Sequence, residues 1–201
     1  MIKIEELFFS YGNHVVFDDV TFQLPERGLV AVTGRNGVGK TTLLRILGRV
    51  YQAHFIGSPQ FTATYIDTEY LTLDTLTVAE VVDVLSRQGK HLKSEMLSKN
   101  PLITQQMLST QLGALSLGQR QRLVLAIACS LPTSSMLLLD EPFNGLDVES
   151  CTSAQDQLVN ISQEKSILFA THNLQDMNEL ATHILHIDGP HLISLEKNTP
   201  K

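Results

Sequence analysis

The segment Gly34-Arg35-Asn36-Gly37-Val38-Gly39-Lys40-Thr41 constrains this chain more than any other. Glycines let a backbone curl through conformations that a side chain would forbid. Spaced as they are here, they let successive N–H groups turn inward onto an anion. The run Leu29-Val30-Ala31-Val32-Thr33 before the loop is short and almost wholly apolar, as in a strand buried on both faces. A helix expected from about Gly39 to Val50 adds its positive end to the same point. The spacing is that of a P-loop. Lys40 then reaches the β and γ phosphates of a nucleotide, and Thr41 offers its hydroxyl to Mg²⁺. Gly34, Arg35, Asn36, Gly37, Val38, Gly39, Lys40, Thr41 and Thr42 are the expected nucleotide-binding residues. The bland alternative is a glycine-rich turn with a chance Lys-Thr, and the flanking strand and helix argue against it. A dinucleotide-binding loop would leave Lys40-Thr41 without a role.

The remaining chain alternates short apolar strands with helices, which points to an α/β domain with a mainly parallel sheet. Ile2–Phe9 and Val15–Leu24 read as two strands joined by a turn at Gly12-Asn13, and Ser135–Leu139 and Ser166–Ala170 as buried strands. Residues 52 to 74 are irregular and strand-like, and 77 to 112 look helical with a break at Asn100-Pro101. Ser116–Leu131 reads as a helix opened by a capping box of Ser116 and Gln119. Helices over 148–164 and 173–181 and a hairpin around Asp188-Gly189-Pro190 complete the expectation.

Composition narrows the function. The 201 residues suit one compact domain, and 43% hydrophobic content supports a sizeable core. A formal net charge of −6 argues against gripping nucleic acid through overall charge. Leu123–Leu131 is too short for a spanning helix, which needs roughly 20 residues. The start, Met1-Ile2-Lys3-Ile4-Glu5-Glu6, has no signal-peptide pattern. Cys129 and Cys151 are isolated, suit a reducing compartment, and read as small packing residues.

Met136-Leu137-Leu138-Leu139-Asp140-Glu141 is an apolar strand ending in two acids. Beside a P-loop, the end of such a strand is where a Mg²⁺ carboxylate belongs, and Asp140 fits it. Glu141 then points toward the γ phosphate and polarises an attacking water. The alternative is a strand that stops at a charged turn, since Pro142 and Gly145 follow.

Leu115-Ser116-Leu117-Gly118-Gln119 joins these motifs with Asn144-Gly145-Leu146-Asp147 and Thr171-His172. In that order, over nearly the whole chain, they resemble the ATP-binding subunit of ABC transporters. The resemblance implies a P-loop NTPase core with a mainly parallel sheet, an N-terminal antiparallel β part and a small helical lobe. It makes residues 1–201 one ABC-type domain, with the core at about 1–74 and 132–201 and the lobe at about 75–131. It gives Tyr11 the place of an aromatic that stacks on adenine. Ser116, Gly118 and Gln119 match the signature that binds the γ phosphate held by an opposite subunit. Asp147 matches the loop that touches that partner, and His172 the histidine that contacts the γ phosphate and supports Glu141. Ordinary strand packing for Tyr11 and a helix cap for Ser116 remain as plain readings. The other six histidines read as surface or packing residues.

Two positions depart from the family pattern. Leu117 stands where the signature usually has glycine, which raises the question of the helix cap and the dimer contact. The glutamine usual at the junction of core and lobe, a Mg²⁺ ligand, is replaced at Thr68, between Asp67 and Glu69. Gln60 falls too early for that motif, and the sheet hairpin between 50 and 65 looks trimmed.

The resemblance implies an ATPase with ATP and Mg²⁺, working as a head-to-tail homo- or heterodimer. It powers a separate polytopic membrane domain, binds no nucleic acid, and lies in the cytoplasm at the inner face of the membrane. The membrane partner would dock near Thr68 to Val82. The compact length leans toward export. Alternatives are a degenerate regulatory subunit, suggested by Leu117 and Thr68, and a soluble family member acting on ribosome or DNA. A P-loop kinase would leave the signature unexplained.

Overall fold

The computed structural model describes residues 1–57, 61–67, 73–87, 94–131 and 135–200. Its strands form two sheets. The smaller has the order β2-β1-β4, where β1 is Ile2–Tyr11, β2 is His14–Leu24 and β4 is His54–Gly57. Both pairings in it are antiparallel. Buried and exposed residues roughly alternate along β1 and β2, as expected of strands with one covered face.

The larger sheet has the order β5-β6-β7-β3-β8-β9. These strands are β5 Ala63–Ile66, β6 Met136–Asp140, β7 Ser166–Ala170, β3 Gly28–Thr33, β8 His183–Ile187 and β9 Ile193–Lys197. β6, β7, β3 and β8 run parallel, and β9 returns antiparallel to β8 as the expected hairpin. β7 is buried at every position, and so is β6 as far as Leu139. Consecutive buried residues mean that both faces of these strands are covered.

α1 (Lys40–Leu47) starts where β3 and its loop end. It buries Leu43, Leu44, Ile46 and Leu47 in a core with Ile4, Leu7 and Phe17 of the small sheet and Val30, Val32, Leu138 and Leu168 of the large one. Gly48 closes it, its N–H donating to Leu44 O at 2.9 Å.

The chain divides into two compact units. One holds Met1–Tyr65, Ser134–Glu141 and Val159–Lys201, the other Ile66–Thr133 and Pro142–Leu158. The helical unit is therefore wider than the 75–131 read from sequence, because 142–158 belongs with it. The described residues of 77 to 112 are helical with a break at Asn100-Pro101, as expected. They give α2 (Val78–Leu85), α3 (Ser94–Ser98), α4 (Gln105–Leu108) and a 3₁₀ turn at Leu112–Ala114. Local hydrogen bonds explain the division: Asn100 Oδ1 accepts from Leu102 N–H at 2.9 Å, and Thr104 caps α4 through Met107 N–H. α5 (Leu117–Ser130), α6 (Val148–Ser162) and α7 (Leu174–Leu180) lie within the expected bounds. The segment after α1 supplies β4 to one sheet and β5 to the other. Among the described residues, no helix is long and apolar enough to cross a membrane.

Candidate functional site

Strand register brings the first group of residues together. Ala170 pairs with both Val32 and Asp140, so β3, β6 and β7 end level at their carboxyl edge. The P-loop leaves β3 there, the Asp140-Glu141 pair leaves β6, and Thr171-His172 leaves β7. Ligands of open parallel sheets bind at this edge.

Gly34 needs to be glycine. Its φ is +146°, and a Cβ would stand 2.5 Å from the backbone oxygen of Ile187. The loop then wraps back on itself: Lys40 Nζ donates to Gly34 O at 2.9 Å and to Arg35 O at 3.2 Å. This holds the ammonium over the loop, at the N-terminus of α1. A cavity of about 540 Å³ is lined there by Asn36, Gly37, Gly39, Lys40, Thr41 and Thr42 of the loop. Tyr11, His14 and Val16 of the small sheet and Asp140 and Glu141 of β6 complete its lining. Cavities of this size hold nucleotide-sized ligands.

Glu141 adopts φ of 46°, in the left-handed region, with its N–H donating to Ala170 O at 3.0 Å. Its Oε1 lies 3.0 Å from His172 Nδ1. A carboxylate oxygen accepts, so an Nδ1–H of the imidazole can donate across that pair. Tyr11 is 47% exposed, and its hydroxyl lies 3.3 Å from Thr42 Oγ1. Burial is the main influence holding its phenol above the ordinary value, with Tyr51 adding to it and the Thr42 hydrogen bond opposing.

The donor set near Thr41 and Asp140 suits a hard cation. One hydroxyl and one carboxylate line the same cavity, and Mg²⁺ is commonly held by one or two protein oxygens with substrate phosphates. Among the described residues, no cluster of three or more His, Cys, Asp or Glu forms a protein-only metal cage. Thr68, Glu69 and Gln60 lie outside the described residues.

The second group lies in the helical unit. Ser116 Oγ accepts from Gln119 N–H at 3.2 Å, and Gln119 Oε1 accepts from Ser116 N–H at 2.9 Å. This is the capping box expected from sequence, and Leu117 leaves it intact. Leu117 is the first residue of α5 and points into solvent, 70% exposed. Gly118 is fixed by a close approach, since a Cβ there would meet Gly145 O at 2.7 Å. A cavity of about 240 Å³ is lined by Ser116, Gly118, Gln119, Arg122, Gly145, Leu146 and Asp147. Asp147 Oδ1 accepts from Ser150 N–H at 2.7 Å. That bond and the Ser150 side chain hold the Asp147 carboxyl below its ordinary value. Asp147 is thus also the cap of α6, a plain role that its place before Val148 would have disclosed. Arg122 was missed as a site residue. Its Nε donates to Leu102 O at 2.7 Å, a contact that no sequence spacing announces.

The ABC transporter family profile matches residues 17–144. An uncharacterised ABC transporter ATP-binding protein of Methanocaldococcus jannaschii is 30% identical over 202 residues, covering 92% of this chain and 72% of the relative. A zinc import ATP-binding protein of Ehrlichia chaffeensis is 29% identical, covering 87% and 74%. Among solved structures, an ATP-binding subunit of an ABC transporter superimposes with a TM-score of 0.84 at 20% identity, covering 98% of this chain and 90% of that one. A dimeric bacterial ABC transporter cassette gives 0.83 at 18% identity, covering 100% of both chains. The profile match, the 30%-identical relative and the shared fold lead to one conclusion: this chain belongs to the ABC transporter family, as an ATP-binding ATPase subunit.

Proposed function

We propose that this chain is the hydrolytic engine of a transporter whose membrane domain is a separate polytopic protein, and that two ATP-binding subunits close head to tail over two ATP molecules. The observation that carries the hydrolytic reading is the His172–Glu141 pair beside the P-loop cavity. In this reading Tyr11 stacks on the adenine, while the loop N–H groups, Lys40 and the N-terminus of α1 bind the phosphates. Glu141 accepts a proton from water as the water oxygen attacks the γ phosphorus. The bond from that phosphorus to the ADP oxygen breaks, and ADP and phosphate leave. His172 holds the Glu141 carboxylate and contacts the γ phosphate. Thr41 and Asp140 would hold a Mg²⁺ ion, which would neutralise phosphate charge during the transfer.

Ser116, Gly118, Gln119 and Asp147 serve the partner's ATP in this arrangement. A serine hydroxyl and a helix N-terminus are suitable anion donors. The similar cassette solved as a dimer supports this. Relatives named as zinc import proteins favour uptake over the export that compact length suggested. The complete set of Lys40, Asp140, Glu141 and His172 weighs against a regulatory, non-hydrolysing subunit.

Two experiments test the reading. Lys40→Ala should abolish ATP binding, whereas Glu141→Gln should keep binding and lose hydrolysis. Native hydrolysis by Glu141→Gln would reject Glu141 as the base. Purification from membranes should bring a polytopic protein with this chain, and recovery only with ribosomes or DNA would reject the transporter role.

A further inference from the structure

Behind Tyr11 stands a set of rings that the phosphate chemistry does not use. The Tyr11 ring is edge-on to Phe9, at 4.9 Å and 89°, and edge-on to Tyr51, at 5.8 Å and 88°. Phe9 and Tyr51 are stacked on each other at 5.6 Å and 15°. Tyr51 is fixed in turn by Arg45, whose Nη1 donates to its phenol oxygen at 3.0 Å. Arg45 Nε donates to Tyr65 Oη at 3.2 Å, and the guanidinium carbon lies 5.8 and 5.9 Å from the Tyr51 and Tyr65 ring centres. The phenol oxygens of Tyr65 and Tyr51 push the guanidinium still further toward its charged form.

The connection to the site runs through one short helix. Arg45 lies on α1, the helix that carries Lys40, Thr41 and Thr42. Thr42 meets the Tyr11 hydroxyl from the same helix. Tyr11 is therefore held at its hydroxyl by Thr42 and at its ring by Phe9 and Tyr51. An exposed aromatic held on two sides presents one face in a fixed plane, and edge-to-face contacts are directional enough to set that plane.

We propose that Tyr51, clamped by Arg45, is a positioning residue for the base of the nucleoside triphosphate: it fixes the plane of the Tyr11 ring at the mouth of the phosphate cavity. The inference rests on the reading of Tyr11 as the base platform. Tyr51 does not touch the base; it acts through Tyr11. Its contribution belongs to the base and not to the phosphates. A purely structural role for Tyr51, which is half-buried against the core, would lower stability without that discrimination.

The test measures binding of two probes, MgATP and inorganic tripolyphosphate, to native protein, Tyr51→Ala, Tyr51→Leu, Tyr51→Phe and Tyr11→Ala. Tyr51→Ala should weaken ATP binding about 3- to 10-fold, the range set by an aromatic pair contact, and leave tripolyphosphate binding unchanged. Tyr51→Leu fills the core and should show the same loss if the alanine variant does not fold. Tyr51→Phe keeps the ring edge and should restore most of the affinity. Native ATP affinity in Tyr51→Leu, or equal losses for both probes, overturns the proposal. Tyr11→Ala separates the two readings. If it weakens ATP binding while the Tyr51 variants do not, only the positioning role fails. If it leaves ATP binding unchanged, the base platform itself fails.

Discussion

Glu141 keeps a left-handed backbone, φ 46°, at the turn out of β6. For a residue with a Cβ this costs about 1–3 kcal/mol, and such strain gathers where geometry serves chemistry. The strain aims a carboxylate at a cavity that the P-loop also lines, and His172 meets it there at 3.0 Å. Glu141→Gln keeps the shape and removes the proposed base. Turnover should fall roughly 10²- to 10⁴-fold, with ATP affinity near native, in paired hydrolysis and binding assays. Gly118 carries a different constraint. Gly118→Ala drives a methyl to 2.7 Å from Gly145 O, and the required shift should cost about 1–3 kcal/mol by denaturant unfolding.

At the scale of elements, two helices open with the same device. Thr77 and Glu80 form a capping box at α2, and Ser116 and Gln119 form one at α5. Replacing either hydroxyl by alanine should cost about 1 kcal/mol in thermal unfolding. Function should separate them: Thr77→Ala keeps ATP turnover, and Ser116→Ala loses it, because only Ser116 lines a proposed phosphate site. Equal turnover in both variants would reduce Ser116 to a cap. The α5 box was legible because its two partners are three residues apart in sequence. The P-loop and the acid pair were legible for a like reason, since each is a local pattern beside an apolar strand. The helical character of the described residues of 77–112 and the break at Asn100-Pro101 were legible in the same way. The separate short helix after Thr104 was not, because its cap, Met107 N–H donating to Thr104, is nothing that apolar spacing announces. Tyr51 and Arg122 were also hidden, because their partners, Tyr11 and Leu102, are set by folding and not by spacing.

For the whole molecule, the consequential property is that two cavities of matching chemistry occur in one chain. One is built on the P-loop and the acid pair, the other on the N-terminus of α5. In the proposed assembly each ATP takes the first from one subunit and the second from its partner. A single chain should then bind ATP and hydrolyse it slowly. Turnover should rise with protein concentration, as two copies are needed per site, and a concentration-independent specific activity would count against shared sites. The 70% exposed Leu117 and 85% exposed Val148 flank the second cavity. Apolar side chains left this open suit a surface that a partner covers.

The most direct measurement is sedimentation velocity on Glu141→Gln with and without MgATP, because removing the proposed base should leave ATP bound and unconsumed. Head-to-tail closure over ATP implies a monomer without nucleotide and a dimer with MgATP, returned to monomer by adding Ser116→Arg. A Glu141→Gln protein that binds MgATP yet stays monomeric at every concentration tested, or a dimer indifferent to the charge placed at Ser116, would contradict it.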